Sequence, residues 1–150
     1  MIRQALYLHG FASSPQSTKA MVLTERLGQF GVRLVAPDFN EPDFSTLTVT
    51  RMLEQTDREI AALPPEPLAL VGSSLGGFVA VHAAARQKPD TTRPIAALVL
   101  LAPAFEFGRD QMGGKGPGSL DMWKKSGRLE VFHHAYGGVR SVDYALYRDA

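Results

Sequence analysis

The stretch Leu68-Ala69-Leu70-Val71-Gly72-Ser73-Ser74-Leu75-Gly76-Gly77-Phe78 decides the fold. Its first four residues are an unbroken apolar run stopped by glycine, the pattern of a buried strand. Phe78 to Arg86 reads as an Ala-rich helix, so Gly72-Ser73-Ser74-Leu75-Gly76 satisfies G-x-S-x-G between a strand and a helix. A serine perched on so sharp a turn needs a strained backbone, and side chains two positions to either side would collide. Glycines at 72 and 76 remove that collision. Ser74 is therefore the candidate nucleophile, standing above a helix N-terminus where the Leu75 amide can donate to a developing oxyanion. The bland reading of the same residues is a tight turn in which Ser74 merely caps the helix.

Outward from this stretch, short apolar runs alternate with amphipathic ones, which argues for βα units and a parallel sheet. Ala5–Leu8, Val32–Ala36 and Ile95–Leu101 read as further strands. Their uninterrupted apolar character is expected where helices cover both faces of a sheet. Ser14-Pro15 reads as a cap and first helical position, followed by Ala20, Leu23, Leu27 and Phe30 at helical spacing until Gly31. Thr48 is a second cap, for a helix bearing Val49, Met52, Leu53, Ile60 and Leu63 that Pro64-Pro65 ends.

After Pro103 the texture becomes glycine-rich, including Gly113-Gly114-Lys115-Gly116-Pro117-Gly118, and reads as a long lid-like excursion. Within it, Ser119–Lys125 reads as a short helix, Arg128–His134 as a strand or extended arm, and Val142–Arg148 as a final helix capped by Ser141. Trp123 and Met122 on the short helix are candidates for core packing or acyl contact, and Tyr136, Tyr144 and Tyr147 for packing the lid on the body. The whole reads as one domain over 1–150, with a core at 1–103 and the lid and final helix at 104–150.

Composition narrows the function classes. The chain has 150 residues, 45% of them apolar, which suits one packed domain. With no cysteine, disulfide frameworks and thiol catalysis are excluded. A formal net charge of +1 supplies no basic field for nucleic acid or anionic lipid. No apolar run is long enough to span a membrane, and the start at Met1-Ile2-Arg3-Gln4 lacks a signal-peptide pattern, so a cytoplasmic location is expected. No cofactor is called for. His and carboxylate residues show no metal-ligand spacing, and Lys115 does not complete a phosphate-binding loop.

A second candidate element is His9-Gly10-Phe11-Ala12-Ser13-Ser14, just after the first strand. An oxyanion hole needs a second backbone N–H, and Phe11 is placed to give it, with His9 bracing the loop rather than acting as a base. The alternative is an ordinary strand-ending turn. Successive right-handed crossovers would set the first and third strands side by side, so that Phe11 and Leu75 face one crevice at a switch point.

Leu6 to Ser17, Ala36-Pro37-Asp38, Pro42-Asp43-Phe44 and Gly72 to Gly77 together resemble a family of small bacterial esterases of the α/β-hydrolase superfamily. The resemblance is close over 5–103 and looser beyond. It implies an α/β fold with a mostly parallel sheet, helices on both faces and a lid. It also implies a serine hydrolase acting on small acyl esters or thioesters, with Ser74 as nucleophile and Phe11 and Leu75 as oxyanion-hole donors. The family's acid and histidine follow the serine, after two further strands, so they are expected beyond Ala150 and the last strands are expected to be missing. Among residues present, His133 and His134 are weak candidates for a base, His82 reads as a packing residue, and Glu106, Asp110 and Asp121 read as solvated carboxylates rather than a triad acid. Loss of the last strands would bare an apolar sheet edge at Ile95–Leu101 that invites a homo-oligomer. The alternative function is a non-catalytic hydrolase-fold module that binds a ligand or a partner chain.

Overall fold

Leu68–Ser73 (β3) is the centre of the sheet. It pairs in parallel with Gln4–Leu8 (β1), Leu6 lying opposite Leu70 and Leu8 opposite Gly72, and on its other side with Ile95–Leu101 (β4). β1 in turn pairs in parallel with Arg33–Val35 (β2), giving the order β2-β1-β3-β4. The computed structural model describes residues 1–107 and 120–150. The glycine-rich run 113–118 with Lys115, together with Asp110 and Ser119, lies outside the described residues.

Alternation along the strands sorts side chains to two faces. Leu6, Leu8, Leu68 and Leu70 are wholly buried against Val49–Ala62 (α2) and Leu75–Ala85 (α3), through Met52, Val79 and Ala80. Tyr7 and Val71 face the other way and pack with Ala20 and Leu23 of Thr18–Gly28 (α1). The apolar runs are unbroken because both faces are covered. Each such leucine contributes about 1.5–3 kcal/mol by leaving water. β4 ends the sheet among the described residues, and there Leu98 and Val99 stay 40% and 45% exposed.

α2 begins as its sequence predicts: the Thr48 hydroxyl accepts the Arg51 amide at 3.1 Å. α1 does not. Its cap is Ser17, which accepts from the Ala20 amide, whereas Ser14 accepts from Gln16 in a preceding turn. The helix also stops at Gly28, leaving Phe30 79% exposed rather than in the core.

Residues 120–150 keep the expected short helix and first strand but depart from their sequence reading after that. Leu120–Ser126 (α4) precedes an antiparallel hairpin of Arg128–His133 (β5) and Gly138–Asp143 (β6), and Ala145–Asp149 (α5) follows. The predicted helix over Val142–Arg148 thus begins with two strand residues and is helical only from Ala145. Gly137, at φ 63°, makes the reversal that starts β6. Trp123, Val142, Leu146 and Tyr147 are buried in the same apolar cluster as the sheet's leucines, so this segment shares the body's core. The Trp123 indole N–H donates to the Val142 carbonyl at 3.2 Å.

Candidate active site

At the C-terminal end of β3 the chain turns on a single residue. Ser74 has φ 52° and ψ −117°, a left-handed conformation that costs an L-residue about 1–3 kcal/mol unless its surroundings impose it. The surroundings do so through main-chain hydrogen bonds. The Ser74 amide donates to Leu101 O at 3.0 Å, and its carbonyl accepts from Gly77, Ala104 and Phe78 at 2.9, 3.0 and 3.3 Å. The end of β4, the segment after it and the start of α3 all grip one residue. The side chain makes no capping bond and is exposed. The reading of Ser74 as a mere helix cap therefore fails.

The glycines beside it are sterically required. A Cβ on Gly72 would lie 2.5 Å from Gly76 O, and one on Gly76 would run into the Leu8 carbonyl. The turn is thus pressed against the end of β1, where the second candidate loop begins.

That loop is held by His9, the brace indicated by the sequence, and by Asn40, which the sequence did not single out. The Phe39 amide donates to His9 Nε2 at 3.0 Å, so Nδ1 carries the proton and donates to Gly10 O at 2.9 Å. Burial holds the His9 pKa below its ordinary value, against the opposing pull of its bond to Gly10 and of Asp38. His9 is a neutral brace. Asn40 ties three segments together: its amide group donates to Ser13 O at 2.9 Å and to Asp38 at 2.7 Å, and its oxygen meets His133 Nε2 at 2.9 Å. Phe11 packs on Phe44, whose ring meets His133 edge-on.

Phe11, Ser74 and Leu75 line one apolar cavity of about 260 Å³, closed by Phe107, Trp123 and Leu146 among others. The Leu75 amide belongs to the first turn of α3, where no intrahelical carbonyl can reach it. The Phe11 amide has no hydrogen bond among the described residues. The helix dipole adds to the positive potential there.

The four histidines of the sequence all fall within the described residues, and none hydrogen-bonds Ser74. His82 is exposed on α3 against Phe78. His133 is fully buried: Nε2 faces Asn40, Nδ1 accepts from the Tyr136 amide, and burial holds its pKa low. It anchors the hairpin to the body, and both its ring nitrogens are engaged away from Ser74. His134 is exposed, its backbone amide donating to Ala12 O. Glu106 and Asp121 are exposed. Among the described residues no cluster of three or more His, Cys, Asp or Glu gathers as for a metal, and no helix is long and apolar enough to cross a membrane.

A model of Uncharacterised protein family UPF0227 matches residues 4–146. The chain belongs to that family. No curated protein matches its sequence significantly. Solved structures match its fold. A hydrolase candidate from Agrobacterium vitis S4 superposes with TM-score 0.82 at 24% identity, over 97% of this chain and 59% of that one. A hydrolase candidate of the α/β superfamily from Xanthomonas campestris pv. campestris gives TM-score 0.57 at 28% identity, over 69% and 59%. Est1E from Butyrivibrio proteoclasticus, solved with ferulic acid bound, gives 0.75 at 22%, over 97% and 59%. This UPF0227 chain has the α/β-hydrolase fold and spans about three fifths of the length of those structures.

Proposed function

We propose that this UPF0227 chain is a serine hydrolase that cleaves small carboxylic esters or thioesters through an acyl intermediate on Ser74. The observation that carries the reading is the exposed Ser74 hydroxyl on a left-handed turn, at the wall of an apolar cavity that it shares with Phe11 and Leu75. Ser74 Oγ adds to the substrate carbonyl carbon while its proton passes to a base. The oxygen that becomes negative accepts from the Leu75 and Phe11 amides. Collapse expels the alcohol or thiol and leaves the acyl group on Ser74. Water then releases the acid by the same two steps. Preorganised donors of this kind are each worth about 10²–10³ in rate.

The reading needs a base that none of the four histidines brings to Ser74. Loss of a base from such a triad costs on the order of 10⁶ in rate. A second reading follows from that same observation: a hydrolase-fold module that holds an apolar ligand in the 260 Å³ cavity without turning it over.

Labelling with a fluorophosphonate probe and mapping the modified peptide tests the proposal. The adduct is expected on Ser74 and should vanish in Ser74→Ala. Modification of a different residue, unchanged by that substitution, would sink the serine assignment. Binding of a fatty-acyl ligand with no turnover and no adduct would favour the second reading.

A further inference from the structure

A second cavity, of about 470 Å³, opens on the far side of the loop after β1. Its volume lies within the range of small-ligand sites. Ser13, Ser14, Gln16 and Thr18 give it hydroxyl and amide groups, Asp38 gives a carboxylate, and Tyr136 approaches from the hairpin turn. Where the Ser74 cavity is apolar, this one is walled by groups that both donate and accept.

The charges around it narrow the ligand. No lysine or arginine lines it, His134 is its one imidazole, and Asp38 brings a negative charge that repels phosphate or carboxylate. Asp38 Oδ1 is taken by the Asn40 amides, while Oδ2 has no hydrogen bond among the described residues. A quaternary cation is disfavoured too. The Tyr136 ring is stacked on His133 at 4.1 Å and lies 5.3 Å from the Arg140 guanidinium, whose positive charge opposes a second cation at that ring. What fits is a neutral molecule rich in hydroxyls, whose O–H groups donate to a carboxylate and accept from serine, threonine and amide donors.

The two cavities are walls of one loop. Phe11 faces the apolar cavity, and Ser13 and Ser14, two and three residues on, face the polar one. The His134 amide, at 3.1 Å from Ala12 O, holds the hairpin turn against the loop between them. We propose that the polar cavity binds a neutral polyhydroxylated group, a sugar or a sugar-like alcohol, at a site separate from Ser74.

Titration with methyl α-D-glucopyranoside and methyl β-D-xylopyranoside, followed by amide NMR shifts, tests it, with sodium phosphate and choline as comparison probes. One of the glycosides should give saturable shifts confined to residues 13–18, 38 and 134–136, with a dissociation constant on the order of 10 mM. The double substitution Gln16→Ala, Thr18→Val removes two exposed side chains outside the core and should weaken binding about fivefold with the melting temperature unchanged. Ser74→Ala should leave it unchanged. No saturable response to either glycoside, or a stronger one to phosphate or choline, overturns the site. Ser74 labelling without glycoside binding would leave the hydrolase reading standing and end this one. Glycoside binding without Ser74 labelling would keep the site and count against the serine reading alone.

Discussion

Gly10 approaches Ser74 so closely that a Cβ on Gly10 would sit 3.3 Å from the Ser74 Cβ and 3.2 Å from Ser73 O. Two loops far apart in sequence therefore meet at one side chain, and the space between them is set by residues that have none. Gly76 is the less forgiving of the flanking positions, since its Cβ would meet the Leu8 carbonyl and main chain cannot step aside. Gly76→Ala is expected to destabilise the fold by more than about 3 kcal/mol, read as the midpoint of denaturant unfolding. A change below about 1 kcal/mol would mean the turn has room that these contacts deny.

The left-handed backbone of Ser74 predicts that reactivity and stability oppose each other. Glycine adopts φ 52° without the Cβ penalty and alanine does not. Ser74→Gly should be more stable than Ser74→Ala by about 1 kcal/mol, although glycine is ordinarily the worse residue for folding. Both should lose the fluorophosphonate adduct. Paired thermal melts of the two variants decide the matter.

Asn40 is the joint between the first loop and the hairpin. Replacing it by Ala leaves the buried His133 Nε2–H and the Ser13 carbonyl without their partner, at a cost of about 2–3 kcal/mol. Hydrogen exchange should quicken in β5 and β6 before it does in β3. Equal acceleration throughout would show that the hairpin is fastened by its apolar contacts alone.

His9 and His133 give the fold a pH dependence of known sign. Both are buried with pKa held below the ordinary 6.5, chiefly by desolvation. In the unfolded chain they take up protons near pH 6.5, whereas the folded protein resists until lower pH. The unfolded state therefore binds more protons, and stability falls as pH drops below about 6.5. Each contributes at most about 1.4 kcal/mol per pH unit. Unfolding midpoints at pH 7.5 and 5.5 should differ, and His133→Gln should shrink the difference.

The sheet was legible because its strands are contiguous apolar runs, and the bend at Ser74 because its determinants lie within six residues, Gly72–Gly77. The hairpin was not. Val142, Leu146 and Tyr147 are all buried, and their spacing imitates one face of a helix, although a strand supplies the first and a short helix the others. The pair Gly137-Gly138 was the available signal for a reversal. Ser14-Pro15 has the form of a helix start, yet the hydrogen bond from the Ala20 amide puts the cap at Ser17. The contact of Asn40 with His133 joins residues 93 apart, a relation that no local pattern records.

The amide and carbonyl of Ser74 are fastened to Leu101 and Ala104, at and just beyond the end of β4. The reactive bend is thereby moored to β4 as well as to α3, the helix that follows the bend. A strand laid beside β4 would stiffen that mooring, and fraying of β4 would slacken it. How far the sheet extends and how well the hydroxyl is aimed are, mechanically, a single variable.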